Sequence, residues 1–446
     1  MSAAPETWSF ATRQLHAGAA PDPATGARAV PVYQTSSYTF PDAAHAADAF
    51  ALRDLTAHAY TRLSNPTTAV AEARVAALEG GSAAVAVGSG QAATSLTLLN
   101  LARAGDHVVA SAALYGGTHT LLAHTFADLG IGVTFVADPD DLDAWRAAVT
   151  PRTRALFAES IGNPLGNVLD VAGVAGVAHA AGLPFVVDNT VPTPYLLRPL
   201  EHGADLVVHS TTKFLAGHGT AIGGMVVDGG RFDFGADPAR WPGLVAPDPT
   251  YHGLSFWEEF HADGLAFAMR LRTRLLRDLG PAVSPFNSFL LLQGIETLDL
   301  RMARHVANAT AVAQWLERHP RVRRVHFPGL PSSRWHAAAR RYLPLGTGAV
   351  LAFEVEGGPA DAHTAGRAVV DRLRLFSHLA NIGDVRSLAI HPRPPRTRSS
   401  TRSSSARAGV TPGAGAAVGG DRGDRRLLAD LGAALADGNC EGGGAE

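Results

Sequence analysis

From residue 83 to residue 228 the chain alternates short apolar, β-branched runs with longer amphipathic or alanine-rich stretches. Short runs of this kind, bounded by turn formers and separated by helical patterns, predict a mostly parallel sheet covered by helices. Strands are expected at 83–87, 107–110, 132–136, 155–158, 184–188, 205–209 and 225–228. Helices are expected at 91–102 and 172–181, with further helical stretches around Leu121 and Trp145. A long helical pattern covers 256–279, and the prolines Pro281 and Pro285 break it. Beyond them, a helical stretch at 294–318 precedes mixed strand and helix signals at 322–327, 349–355 and 360–373, which predict a smaller α/β domain. The division expected is an N-terminal arm over 1–58, a large domain over 59–280 and a C-terminal domain over 281–446.

Composition narrows the function classes. The 446 residues are 46% hydrophobic and 17% charged, as in ordinary folded proteins. A net charge of -2 gives no electrostatic footprint for nucleic acid or an anionic membrane. One cysteine, Cys440, excludes an internal disulfide. The first residues lack the pattern of a secretory signal, and no apolar run approaches the ~18 residues of a membrane span. A cytoplasmic location is expected. The 19 histidines are scattered without ligand spacing, so no metal site is expected. His218, beside Lys213 among glycines, reads as either a loop-packing or a catalytic residue, and Arg386 as a structural one.

The basic residues are all arginine except Lys213. A chain so rich in Ala, Gly and Arg reflects a genome that drifts away from lysine codons, so a lysine that persists needs a reason. Ligands of open α/β sheets bind beyond the carboxyl ends of the strands, and suggestive groups collect there. Gly88-Ser89-Gly90-Gln91 follows one expected strand and opens a helix, which suits a phosphate. Tyr115-Gly116-Gly117-Thr118 follows the next and offers an aromatic face. Glu159 and Asn163, then Asp188, then Ser210, Thr212 and Lys213 follow three more. A lysine among hydroxyls, a nearby acid and a phosphate-type turn are the parts that pyridoxal phosphate requires. The amine bonds the aldehyde, the acid keeps the pyridine nitrogen protonated, and the turn holds the phosphate.

These residues resemble the Cys/Met-metabolism group of pyridoxal-phosphate enzymes. The resemblance runs from about residue 12 to residue 392 through Tyr60-Thr61-Arg62-Leu63-Ser64-Asn65-Pro66-Thr67, Gly88-Ser89-Gly90-Gln91-Ala92, Leu114-Tyr115-Gly116-Gly117-Thr118, Asn163-Pro164, Val187-Asp188-Asn189-Thr190 and Ser210-Thr211-Thr212-Lys213. It implies the aspartate-aminotransferase-like, fold type I architecture of pyridoxal-phosphate transferases. It further implies Lys213 as Schiff-base lysine and proton carrier, Asp188 at the pyridine nitrogen and Tyr115 stacked on the ring. Ser89, Gly90, Gln91, Ser210 and Thr212 would hold the phosphate end, and Asn163 the phenolic oxygen. Tyr60 and Arg62 would reach the phosphate of a neighbouring subunit in a homotetramer built of dimers, and Ser387 would lie near the substrate carboxylate.

The stretches 32–38, 217–224, 229–254, 290–301 and 377–391 resemble the O-acetylhomoserine sulfhydrylase branch. That branch implies O-acetyl-L-homoserine and sulfide as substrates, homocysteine and acetate as products, and a place in methionine biosynthesis. A γ-lyase or a cystathionine synthase or lyase is the alternative within the family. A different class of reading, a cofactor-binding but catalytically impaired homologue, follows from the tail. Downstream of Pro392 the resemblance implies a helix, then a strand RLSVGIE whose arginine grips the substrate carboxylate. The chain instead has an Arg/Ser/Pro run over 393–407 and a Gly/Ala run over 413–423, both disorder signals. Shifted reading frames of the reverse-translated stretches permit ASTHSQL and then GLVRLSVGIEEIDD. Residues 393–426 are therefore expected to be frame-scrambled or disordered.

Overall fold

The computed structural model describes residues 7–356, 359–391, 414–418 and 424–436. Most of the stretch expected to be frame-scrambled lies outside them. Its residues Ala414–Val418 are described and form a strand.

A seven-stranded sheet occupies the first half of the chain. Its strands are β1 (Ala83–Val87), β2 (His107–Ser111), β3 (Gly132–Val136), β4 (Thr153–Glu159), β5 (Phe185–Asp188), β6 (Leu206–Ser210) and β7 (Gly224–Asp228). Their order across the sheet is β1-β7-β6-β5-β4-β2-β3, and β7 alone runs against the others. The central strands are almost wholly apolar and fully buried, with Leu156, Phe157, Val186, Val187, Val207 and Val208 at 1% exposure or less. Strands covered on both faces read as continuous hydrophobic runs, which is why the sequence pattern located them within a residue or two. Polar groups cannot sit mid-strand in such a sheet, so they collect at the shared carboxyl edge.

Helices α1 (Phe10–His16), α2 (Pro66–Glu79), α3 (Gly90–Leu101) and α4 (Val171–Ala180) belong to this half. Asn65 caps α2 by accepting from Thr67 N, with Pro66 at the first helical position. The N-terminal arm is tied to its own chain by Arg74, 1% exposed, whose Nε donates to Ala17 O while Nη1 lies 3.3 Å from Glu296. Gln14 adds a bond to Asp299.

The helical pattern expected unbroken over 256–279 is interrupted. Phe256–Phe260 ends in a turn, and the chain turns helical again at Ala266–Arg270. Gly264, at φ +67°, lies against Gly230 and Ser82, where a Cβ would crowd both. The prolines expected to mark a break do something else as well. Pro285 opens α5 (Pro285–Ile295), because proline suits the first turn of a helix, and Ser284 caps it. Next comes α6 (Leu298–Glu317).

The second sheet comprises β8 (Val322–His326), β9 (Val350–Val355), β10 (Ser377–His378), β11 (Leu388–Ile390) and β12 (Ala414–Val418), in the order β10-β11-β12-β9-β8. Helices α7 (Pro359–Arg372) and α8 (Asp424–Ala436) accompany it. The helix α8 buries Leu427, Leu431, Ala434 and Leu435. Its Asp430 reaches the turn before β10 and accepts from the backbone N–H groups of Arg374, Leu375 and Phe376. Hydrogen bonds to a charged group contribute about 1.5–3 kcal/mol. Asp430→Ala should therefore destabilise the second sheet by about 2 kcal/mol, read as an earlier thermal unfolding midpoint, with Asp430→Asn recovering part of the loss.

Candidate active site

The carboxyl edge of the large sheet opens into a cavity of about 390 Å³. Gly90, Gln91, Tyr115, Asn163, Asp188, Ser210, Thr212 and Lys213 all line it. These are eight of the residues singled out from sequence. Ser89, Tyr60, Arg62 and Ser387 do not line it. Ser89 is the cap of α3, its Oγ accepting from Ala92 N at 3.1 Å. Ser387 is 2% exposed, and its carbonyl accepts from Ser377 N behind the wall made by the next residues, Leu388 to Ile390. Tyr60 is 44% exposed with Arg62 stacked 5.4 Å above its ring.

One end of the cavity is a cradle for an anion. The first N–H groups of α3 have no partner within the helix, and the helix dipole adds partial positive charge there. Gly90 lets this terminus approach β6, since a Cβ on it would sit 2.5 Å from Ser210 Cβ and 2.8 Å from its Cα. Ser210 N donates to Thr190 Oγ1, and Thr212 Oγ1 shares bonds with Gly223 N and O.

Two acids face the middle of the cavity from adjacent strand ends, because Glu159 and Asp188 pair in register between β4 and β5. Burial pushes the Glu159 carboxyl well above its usual range, the neighbouring Asp188 charge pushes it further, and the Tyr115 and Asn163 N–H groups oppose both. Burial also raises Asp188, while the Thr190 hydroxyl and N–H and the His209 imidazole oppose that shift. Of the two acids, Glu159 is the one driven harder toward its neutral form, and Asp188 is the one whose Oδ1 accepts from Thr190 N. Glu159 Oε1 also accepts from Tyr115 N at 2.5 Å, fixing the turn that places the Tyr115 ring, 57% exposed, at the mouth.

Lys213 is half-buried, and burial alone pulls its ammonium below the ordinary lysine range. Its Nζ donates to Asn381 Oδ1 at 2.5 Å. The turn that carries it is held from beneath by Arg301, 4% exposed, whose Nη1 donates to Phe214 O while Nη2 donates to Leu215 O and Gly294 O. From the other side the loop 380–386 packs on the same turn. A Cβ on Gly383 would clash with Phe214 N, and Val385 N donates to Gly217 O at 2.8 Å.

Sequence reasoning assigned no role to Asn381, Thr190 or Thr118, or to the apolar wall of Ile222, Ile382 and Leu388 to Ile390. Thr190 had a local signal, an Asp-Asn-Thr run in which Asp188 Oδ1 accepts from Thr190 N. Asn381 had none, because it reaches Lys213 from 168 positions away. Among the described residues no cluster of His, Cys, Asp or Glu could hold a metal ion, and no helix is long and apolar enough to cross a membrane. An anion cradle, a carboxylate, an amine poised to lose its proton and an aromatic cover match the phosphate, pyridine nitrogen, aldehyde and ring of pyridoxal phosphate.

Comparison with known proteins agrees. The family model for Cys/Met metabolism PLP-dependent enzymes matches residues 11–436. The O-acetyl-L-homoserine sulfhydrylase of Leptospira meyeri is 50% identical over 416 residues, covering 92% of each chain. That of Corynebacterium glutamicum is 47% identical over 409 residues, covering 91% of this chain and 92% of its own. A crystal structure of an O-acetylhomoserine (thiol)-lyase from Campylobacter jejuni, which carries a pyridoxyl-lysine phosphate, superposes with a TM-score of 0.90 at 36% identity. It covers 96% of this chain and is itself covered in full. The architecture is accordingly that of the pyridoxal-phosphate fold type I enzymes, and the chain belongs to the Cys/Met-metabolism family of pyridoxal-phosphate-dependent enzymes.

Proposed function

We propose that the chain is a cytoplasmic O-acetyl-L-homoserine sulfhydrylase that replaces the acetate of O-acetyl-L-homoserine by sulfide, giving L-homocysteine for methionine biosynthesis. The observation that carries this reading is that the single lysine of the chain lines the same cavity as Asp188 and the Gly90–Gln91 terminus of α3. Relatives at 45–50% identity over most of the chain bear that activity in their names.

Pyridoxal phosphate supplies a carbonyl that bonds amines and a ring that accepts electron density. The rest falls to side chains of this protein. The Gly90 and Gln91 N–H groups with the Ser210 and Thr212 hydroxyls would hold the phosphate, and Asn163 the phenolic oxygen. Asp188 would keep a proton on the pyridine nitrogen. The Tyr115 ring, in a turn anchored by Glu159, would stack on the cofactor. Lys213 Nζ would take the α-proton of the substrate, a second proton would leave Cβ so that acetate can depart from Cγ, and one proton would return to each of the two carbons once sulfide has bonded at Cγ. The lowered basicity of Lys213 suits this work, since a general base acts best when its pKa lies near the working pH.

The subunit arrangement proposed is a homotetramer of dimers. Tyr60 and Arg62, exposed and outside the cavity of their own chain, reach the phosphate of a neighbour from the first residues of the 59–280 domain, just beyond the arm 1–58. The domain limits proposed remain 59–280 for the cofactor domain and 281–446 for the C-terminal domain.

Three outcomes test these points. Purified protein with pyridoxal phosphate, O-acetylhomoserine and sulfide should form homocysteine and acetate; ketobutyrate would assign a γ-lyase, cystathionine from added cysteine a synthase, and a yellow protein without turnover an impaired homologue. Borohydride reduction should attach one pyridoxyl group per chain, on the peptide containing Lys213. Because burial lowers the Lys213 pKa, its free base persists to lower pH, so labelling should continue below the pH at which a free lysine side chain ceases to react. Finally, Lys213→Ala and Arg62→Ala should each be inactive alone, while unfolding and refolding them together should restore partial activity; no recovery would place Arg62 in its own subunit's site.

A further inference from the structure

Behind the strand ends that carry the site lies a polar chain sealed from water. Glu79, the last residue of α2, and His209 on β6 are both 0% exposed, and His209 Nε2 meets Glu79 Oε1 at 2.7 Å. The same oxygen accepts from Asn189 Nδ2 at 2.8 Å, and Asn189 Oδ1 accepts from Ser160 Oγ at 2.9 Å. Asn189 directly follows Asp188, and its N–H donates to Val208 O at 2.9 Å. Since Asp188 pairs with Val208, His209 lies one residue beyond the strand partner of Asp188. The remaining polar atoms of the pair, Glu79 Oε2 and His209 Nδ1, have no hydrogen-bond partner among the described residues.

A neutral amide pair would tie α2 to β6 equally well. Burying an acid with a base costs more desolvation than that, which points to a use for the charge. We propose that Glu79 and His209 form a buried ion pair whose imidazolium, one strand away, keeps Asp188 ionised beneath the pyridine nitrogen of the cofactor. Both are then positioning residues, and neither touches cofactor or substrate. The inference rests on the pyridoxal-phosphate reading of the cavity.

The pair is neutral as a whole, so its effect depends on orientation. The imidazole sits on β6, the strand paired with β5, and its charge is the one of the pair that acts on Asp188, while the carboxylate sits on α2 and meets β5 through Asn189. Charges in a buried, weakly polarisable interior are poorly screened. The other groups around Asp188 are Glu159, which burial drives toward its neutral form, the Thr190 hydroxyl and N–H, and Lys213, whose Nζ is engaged by the neutral Asn381. His209 is thus the cation that opposes the burial of Asp188. Without Glu79, a buried imidazolium would have no counter-ion, so loss of either partner undoes the ion pair.

The test compares His209→Gln, Glu79→Gln and the double variant in the full chain. The readouts are the dissociation constant of pyridoxal phosphate by fluorescence, kcat and KM for homocysteine formation, and the thermal midpoint without cofactor. Each single variant is expected to bind pyridoxal phosphate about tenfold more weakly and to lose about tenfold in kcat at near-constant KM, as for one unit of pKa at Asp188. The double variant, with an amide on each side, is expected to regain the thermal midpoint while affinity and kcat stay low. Recovery of all three together would reduce the pair to a structural tie and overturn the proposal. So would a folded His209→Gln protein with native affinity and kcat. If the singles fail to fold, the double variant decides alone. If the native protein makes no homocysteine, the functional reading falls, and cofactor affinity still judges the pair.

Discussion

A buried guanidinium organises the site. Arg301 sits under the turn that follows β6, where the carbonyls of Phe214 and Leu215 point inward, away from water. Buried carbonyls without donors are costly, and Arg301 supplies a donor to each of these two. The fit is close on every side, since a Cβ on Gly217 would overlap the Arg301 guanidinium. With the turn clamped, Lys213 has one place to go. With Gly383 and Val385 packed on its upper side, the second sheet is registered against the first, and Asn381 meets the amine.

Desolvation then sets the chemistry. It moves all three ionisable groups of the cavity toward their neutral forms, Lys213 downward and Glu159 and Asp188 upward. What separates the two acids is their hydrogen bonds and neighbouring charges. Glu159 is pushed harder toward neutrality and spends its oxygen on the Tyr115 turn, whereas Thr190 and His209 oppose the upward shift of Asp188. One strand register thus produces two carboxyl groups with different surroundings, one anchoring a turn and the other lining the cavity among donors.

Much of this was legible in the sequence for physical reasons. Strands buried on both faces announce themselves as apolar runs, and in a parallel sheet ligands gather at one edge, so Asp188, Ser210 and Lys213 could be grouped before any coordinates. Lysine scarcity singled out Lys213. What stayed hidden depends on tertiary contact. Asn381, Arg301 and the Glu79–His209 pair lie far from the residues they serve along the chain. Two local signals carry more than the periodic pattern shows. Gly264 makes a left-handed turn inside an otherwise helical stretch, and the break over 280–284, where it is expected, ends at Pro285, which also opens the next helix. The placing of Tyr60 and Arg62 away from the cavity was also beyond local pattern, since nothing in their neighbourhood says which chain they face.

The small sheet closes in an unusual order. Its strand latest in the chain, Ala414–Val418, lies in the interior, antiparallel to β9 on one side and β11 on the other. Until those residues leave the ribosome, β9 and β11 each present an open row of backbone donors and acceptors, and an open edge invites pairing with other chains. The large sheet, complete by Asp228, has no such wait. The nascent chain therefore passes through a stage with a finished cofactor sheet and a split second sheet, in which the wall that brings Asn381 to Lys213 has yet to form, and it is at that stage that the protein is most exposed to aggregation.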